Sequence, residues 1–149
     1  MTTKPILTPS IFKSRGTNGD FSWMVKRPEY KKSIFVFNDN EKAFDSHSCS
    51  KGCGNAIIRP YQCHKPPRAT GISTGRRYGP NSGGYSKLTE NAKDYIDRGI
   101  SKLETLLETG NYDRVFYSAT KSGGLGTGIF NVDDGVKTYI VDELKRITE

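Results

Sequence analysis

The stretch IFVFNDN, residues 34–40, decides the fold of this 149-residue chain. Its first four residues are apolar without interruption, which predicts a strand that is covered on both faces, as in a parallel sheet. The run ends at Asn38, Asp39 and Asn40, residue types that favour turns and can present polar groups to a ligand. The sequence therefore predicts a candidate site at the point where a buried strand ends.

Predicted strands and helices alternate along the rest of the chain. Short apolar runs predict strands over residues 21–25, 69–73 and 115–119 and a short helix near residues 56–59. Apolar residues spaced by three and four predict a long helix from Thr89, its N-cap, to a stop at Gly110, and a last helix that begins at Asp133 or Asp134. This alternation predicts one α/β domain, residues 1–149, in which helices flank a mostly parallel or mixed sheet.

Charge is distributed unevenly along the sequence. Residues 1–88 contain fifteen Lys and Arg against five Asp and Glu, whereas residues 89–149 contain eight against eleven, for a net charge of +7. A basic, loop-rich half predicts an anionic partner such as a phosphate, a nucleotide or a nucleic acid. The sequence has no apolar stretch long enough to span a membrane and no signal-peptide pattern, so we expect a cytoplasmic protein that does not bind membranes.

The three cysteines form an odd set, and in a reducing compartment no disulfide is expected. Two histidines lie close to them in sequence, so that a zinc site and simple thiols in loops are both open. The residues concerned are His47, Cys49, Cys53, Cys63 and His64. Their spacing matches no standard zinc finger or ribbon, and we predict neither a metal nor a cofactor.

A glycine-rich loop, GGLGTG at residues 123–128, follows the predicted strand at 115–119. Glycines at such a position let backbone N–H groups approach an anion, and ligands of parallel sheets bind beyond the carboxyl ends of the strands. The loop lacks the Gly-Lys-Ser/Thr ending of a P-loop and the third glycine of the dinucleotide fingerprint. Taken alone, it is equally typical of a flexible turn.

The order of these motifs resembles the macrodomain family, which binds ADP-ribose and related nucleotides. The resemblance rests on Gly19-Asp20 before the first run, VFNDN at the strand end, GCGNAI at residues 52–57 and GLGTGIF at residues 124–130. The phrase FVF-x-DN followed by Gly-x-Gly-Asn-Ala is also similar to Rossmann-like phage and bacterial families. The resemblance implies a macrodomain-like fold.

The resemblance also implies roles for individual residues. Asp20 would accept a hydrogen bond from the adenine amino group, and Asn38 or Asn40 would hold the distal ribose, on which Phe130 would pack. One side of the diphosphate site would be formed by Gly52, Gly54 and Asn55. The other side would be formed by Gly124, Gly126, Thr127 and Gly128. Two departures from the family pattern are NDN in place of Asn-Ala-Ala-Asn and Cys53 within the glycine run.

Three functions follow as hypotheses. The first is a protein that binds a small nucleotide, either ADP-ribose-like or cyclic, with Arg59 as a further phosphate ligand. The second is an ADP-ribosyl hydrolase or nucleotide phosphoesterase on the same scaffold, with Asp39 as base and Asn55 as a second catalytic residue. The third is a single-stranded nucleic-acid module, because tyrosines at 61, 78 and 85 alternate with arginines. Glycine loops suit a small concave site better than an extended track, which favours the first.

Overall fold

The computed structural model describes residues 4–76, 83–128 and 130–149. Four strands form one sheet in which every pairing is parallel, in the order β1-β4-β2-β3. The strands are β1 (Ile6–Ser10), β2 (Ser33–Asp39), β3 (Ala69–Ser73) and β4 (Arg114–Ser118). The helices are α1 (Phe21–Met24), α2 (Glu41–Ser46), α3 (Glu90–Leu107) and α4 (Asp134–Thr148), with 3₁₀ helices at Pro28–Tyr30 and Gly54–Cys63. The α/β class with helices flanking a parallel sheet is confirmed.

Strand β2 is covered on both faces, as its unbroken apolar run predicts. Ile34 and Val36 belong to the cluster beneath α3 and α4, whereas Phe35 and Phe37 belong to a second cluster beneath α1 and the 3₁₀ helix Gly54–Cys63. Successive side chains of a strand point to opposite faces, so each face receives alternate residues. Phe35 also stacks on Phe116 of β4, with ring centroids 5.2 Å apart. Two layers of helix therefore hold one central strand between them.

The strand order creates a switch point between β2 and β4. From β2 the chain continues to the 3₁₀ helix Gly54–Cys63 on one face of the sheet, whereas from the neighbouring β4 it continues to α4 on the opposite face. Connections that leave two neighbouring strands in opposite directions open a crevice beyond their carboxyl ends. The motifs after β2 and after β4 therefore face a common space.

Helix ends follow the predicted capping residues. Thr89 caps α3 by accepting a hydrogen bond from the Ala92 N–H at 3.1 Å, and Asp133 caps α4 by accepting one from the Gly135 N–H at 2.9 Å. Side-chain oxygens satisfy backbone donors that have no partner within a helix's first turn. Both predicted helices are confirmed, and the short helix predicted near residues 56–59 lies within the 3₁₀ helix Gly54–Cys63.

The prediction of a strand over residues 21–25 is wrong, because the segment contains helix α1. Asp20 caps the helix and accepts a hydrogen bond from the Ser22 N–H at 3.2 Å. Phe21, Met24 and Val25 are its buried residues, and this spacing of three and four is helical. A run of five residues is too short for its period to be read without the position of the cap.

Strand β1 was not predicted from the sequence. It lies at the edge of the sheet and pairs only with β4, and it includes Pro9, which has no N–H to donate. Proline is tolerated in a strand where no neighbour requires that donor. Among the described residues no helix is both long and apolar enough to cross a membrane.

The expectation that the cysteines form no disulfide is also wrong. Cys49 and Cys63 are joined by a disulfide, with their Cα atoms 6.0 Å apart, whereas Cys53 stays outside it and is exposed. An odd number of cysteines excludes only the pairing of all of them, so one disulfide among the three remains possible. The disulfide ties the segment after α2 to the end of the 3₁₀ helix Gly54–Cys63.

Candidate functional site

A cavity of about 920 Å³ opens at the switch point, beyond the carboxyl ends of β2 and β4. Its volume lies within the range of about 300–1,000 Å³ that is typical of small-molecule sites. Every predicted site residue except Gly124 lines it. The lining ones are Asp20, Asn38, Asp39, Asn40, Gly52, Gly54, Asn55, Arg59, Gly126, Thr127, Gly128 and Phe130. Segments that are more than a hundred positions apart in sequence therefore share one cavity.

Asn38, at the end of β2, ties two of these segments together. Its side-chain Nδ2 donates to the Gly126 carbonyl at 2.8 Å, and its backbone N–H donates to Asn55 Oδ1 at 2.8 Å. Asn40 uses its side-chain oxygen to cap α2, accepting from the Ala43 N–H at 2.9 Å. These asparagines hold the loops of the cavity in place, and their remaining amide N–H groups are the donors available for a ligand.

Asp39 and Arg59 form a buried ion pair beneath the cavity. Arg59 Nη2 donates to Asp39 Oδ1 at 2.6 Å, and the two side chains are 6% and 1% exposed. Arg59 Nη1 also donates to the Ser50 carbonyl at 3.1 Å, and the Asn40 N–H donates to Asp39 Oδ1 at 2.9 Å. The pair joins β2 to the 3₁₀ helix Gly54–Cys63, so its geometry is that of a brace for the cavity wall.

Gly52 lies directly against this ion pair. A Cβ added there would be 2.7 Å from Arg59 Nη1 and 2.8 Å from Nη2, so only glycine leaves room for the guanidinium. Its own N–H donates to the Ala56 carbonyl at 2.9 Å. Gly52 therefore shapes the site by leaving space for the Arg59 guanidinium. Its N–H donates within the turn and is not available to a ligand.

Asp20 and Gly19 form the wall contributed by the β1–α1 connection. Asp20 Oδ2 accepts from the Gly16 N–H at 2.9 Å, and Oδ1 accepts from the Ser22 hydroxyl at 2.8 Å. Burial opposes ionisation, but these hydrogen bonds and those from backbone N–H groups outweigh it and hold the pKa of Asp20 below its ordinary value. Gly19 has φ +109°, and a Cβ there would lie 2.0 Å from the Ile11 carbonyl oxygen. The position therefore requires glycine.

Backbone N–H groups in two segments of the cavity lining have no acceptor among the described residues. Gly54 and Asn55 precede the first hydrogen bond of their 3₁₀ helix, which runs from the Ala56 N–H to the Cys53 carbonyl, so no carbonyl of that helix accepts from them. In the loop after β4, no described residue accepts from the N–H groups of Thr127 and Gly128. Donors without an acceptor in the lining of a cavity are suited to an anion.

The GGLGTG loop differs in two ways from what its glycines predict. The Gly126 N–H is used within the loop, donating to the Ser118 carbonyl at 2.8 Å, so it is not a donor to a ligand. Gly124 lies outside the cavity lining, because its carbonyl closes a tight turn by accepting from the Thr120 N–H at 2.8 Å. The part of the loop that faces the cavity is therefore residues 126–128.

The cavity has lining residues that sequence reasoning missed. Phe12 is 57% exposed and Arg15 is exposed, and both lie on the β1–α1 connection. No ion pair of Arg15 occurs within the described residues, in contrast to Arg59. The only signal for Arg15 was its position four residues before Gly19-Asp20.

Of the three tyrosines that suggested base stacking, the two that the structure describes are buried or partly buried. Tyr85 is buried, and its hydroxyl donates to Glu41 Oε2 at 2.7 Å, while Tyr61 packs partly buried beside the aromatic cluster. Tyr78 lies outside the described residues. Within residues 4–76, 83–128 and 130–149 no three His, Cys, Asp or Glu side chains are grouped to hold a metal ion, and Cys49 and Cys63 are bonded to each other.

No protein-family model matches this chain, and neither a curated protein nor a solved structure matches it. Fold and site together define an α/β protein with a parallel sheet and a cavity at its switch point. The observations that bear on function are therefore the contacts of the cavity itself.

Proposed function

We propose that this protein binds a nucleotide of the ADP-ribose type in the cavity at the switch point, in a macrodomain-like manner. One observation carries the proposal: two separate segments of the cavity lining, Gly54–Asn55 and Thr127–Gly128, have backbone N–H groups that no described carbonyl accepts. A diphosphate presents acceptor oxygens in two directions and can accept from donors on two segments. A cyclic nucleotide, which has one phosphate, is the second ligand to be tested.

The remaining lining residues extend this assignment to both ends of the ligand. Asp20 lies on one wall as a carboxylate with lone pairs left over, and so suits the amino group of a base. Asn40 follows β2 and Phe130 precedes α4, and both line the cavity, where they would face a distal ribose. Arg15 supplies the positive charge that Arg59 cannot, because Asp39 neutralises Arg59.

We propose binding rather than hydrolysis because of what Asp39 contacts. A general base must reach the proton that it removes, and Asp39 is 1% exposed and paired with Arg59. Asn55, the other residue predicted as catalytic, uses its Oδ1 to accept from the Asn38 N–H. We therefore assign positioning roles to both, and the hydrolase and phosphoesterase alternatives gain no support from these contacts.

Calorimetric titration with ADP-ribose and with cyclic nucleotides tests the proposal, using two alanine variants of one loop. Gly128 (φ +61°) lines the cavity and Gly123 (φ +90°) does not, and a Cβ at either meets nothing within 4 Å. Both substitutions impose a similar backbone penalty of about 1–2 kcal/mol. We expect Gly128→Ala to weaken ADP-ribose binding at least about tenfold, or 1.4 kcal/mol.

Gly123→Ala is the matched control and should bind like the wild type. Equal affinity in the two variants, or no heat with any nucleotide, would contradict the proposal. Gly126→Val is a poorer probe, because a Cβ there would already lie 3.2 Å from Ser118 Oγ and 3.4 Å from the Ala119 backbone. Its effect on folding would mask its effect on binding.

A further inference from the structure

The loops around the cavity mouth carry unpaired positive charge. Each strand of the sheet is followed by a segment with at least one exposed Lys or Arg, and none of these side chains has an ion pair within the described residues. We call this set the basic rim. Its members are Lys13, Arg15, Lys42, Lys51, Arg76 and Lys121.

The rim lies next to the cavity because its members are neighbours of lining residues in the chain. Lys51 precedes Gly52 and Arg76 follows Gly75, and both glycines line the cavity. Lys13 shares the β1–α1 connection with the lining residue Arg15. Lys121 lies in the turn that leads to the lining segment at residues 126–128.

Acidic side chains on this side of the molecule are fewer than the cations of the rim. Asp39 is neutralised by Arg59, whereas Asp20 and Glu41 accept hydrogen bonds from neutral donors and keep their charge. Asp133 and Asp134 at the start of α4 add two more acids. The six cations of the rim therefore outnumber these four acids.

We propose that the basic rim docks a nucleic-acid strand whose terminal nucleotide occupies the cavity. The proposal rests on the nucleotide binding proposed above and specifies its substrate class: a nucleotide diphosphate carried at the end of a strand. A ligand of one diphosphate needs only the N–H groups of the two lining segments and Arg15. Cations spread over every loop of the edge match a chain of phosphates that leaves the cavity along this edge.

The salt dependence of the affinity distinguishes binding of a whole strand from binding of the terminal nucleotide alone. Each phosphate neutralised on a single strand contributes a slope of about −0.7 in log K against log salt. Four such contacts would weaken binding about fifty-fold between about 50 and 200 mM salt. ADP-ribose alone, with a single diphosphate, should lose much less over the same range.

The probe is a single-stranded 12-mer DNA with a 5′-adenylate, in which a diphosphate joins adenosine to the strand. ADP-ribose and the same 12-mer with a 5′-hydroxyl are the reference ligands, and fluorescence competition at several salt concentrations gives all affinities. At about 50 mM salt we expect the adenylated strand to bind at least about tenfold more tightly than either reference ligand.

A rim variant tests which cations are responsible. Lys13→Gln/Lys51→Gln/Lys121→Gln should reduce the salt slope of the adenylated strand by about 2 and leave ADP-ribose affinity unchanged. The matched control carries the same loss of charge on exposed lysines outside the rim, Lys26→Gln/Lys31→Gln/Lys32→Gln. It should bind every ligand like the wild type.

Two results would overturn the rim proposal: equal affinity and salt slope for ADP-ribose and the adenylated strand, or equal effects of the two triple variants. The proposed function would be overturned if ADP-ribose did not bind and the adenylated strand bound in a rim-dependent way that Gly128→Ala left unchanged. The terminal nucleotide would then not occupy the cavity. Absence of binding by all three ligands would overturn both proposals.

Discussion

Replacing Arg59 with methionine would leave the Asp39 carboxylate buried without its ion-pair partner. The two side chains are 6% and 1% exposed, and Asp39 Oδ2 has no hydrogen-bond partner among the described residues. Among the described residues, only the Asn40 N–H would still donate to the carboxylate. Removing one partner of a buried pair typically costs about 3–5 kcal/mol. We expect Arg59→Met to lower the free energy of unfolding by about this amount, a large share of the 5–15 kcal/mol typical of a domain.

Urea unfolding of the wild type, Arg59→Met, Asp39→Asn and the double variant measures this effect. Because each single change leaves a charge buried alone, the double variant should lose less than the sum of the singles, by about 0.5–3 kcal/mol. Arg98→Met is the control, since Arg98 is 47% exposed in its pairs with Asp94 and Asp45 and should cost at most about 1 kcal/mol. A loss at Arg59 no larger than at Arg98, or strict additivity, would refute the reasoning.

Three further predictions concern the cavity wall and the disulfide. Arg15→Ala should weaken ADP-ribose binding about tenfold in calorimetry without changing the urea midpoint, whereas Lys26→Ala, away from the lining, should change neither. Because the pKa of Asp20 is lowered in the fold, its ionised carboxylate stabilises the protein at pH values above its ordinary pKa of 3.8. This stabilisation is lost as the pH falls below 3.8, so Asp20→Asn should make the free energy of unfolding depend less on pH in that range. Protein unfolded without reductant should show one reactive thiol, and three only if Cys49 and Cys63 are reduced; three from the start would exclude the disulfide.

Features of the fold that depend on neighbours in sequence were predictable. The unbroken run in β2 implies cover on both faces, and Thr89 caps α3 because its side chain reaches an N–H three residues later. The apolar run alone predicts a strand at residues 21–25, whereas Asp20, which caps α1, makes the segment helical. A run of five apolar residues is too short to distinguish the period of a helix from that of a strand, so the capping residue before it determines the structure.

Features of the site that depend on distant residues were not predictable. Arg59 was assigned to phosphate, but its partner Asp39 lies twenty residues earlier, and nothing local indicates that pairing. The same holds for the Gly126 N–H, which donates to the Ser118 carbonyl instead of facing the cavity. Glycine and polar motifs predicted which segments meet, and the tertiary contacts determine which atoms remain available.

The most direct test of nucleotide binding is a ¹H–¹⁵N NMR titration of the protein with ADP-ribose, followed at the glycine amides. If the diphosphate binds both lining segments, the amides of Gly54 and Gly128 should shift progressively to saturation. Gly110 and Gly123, which do not line the cavity, should keep their positions. No shift at millimolar ADP-ribose, or shifts confined to glycines outside the cavity, would contradict the account.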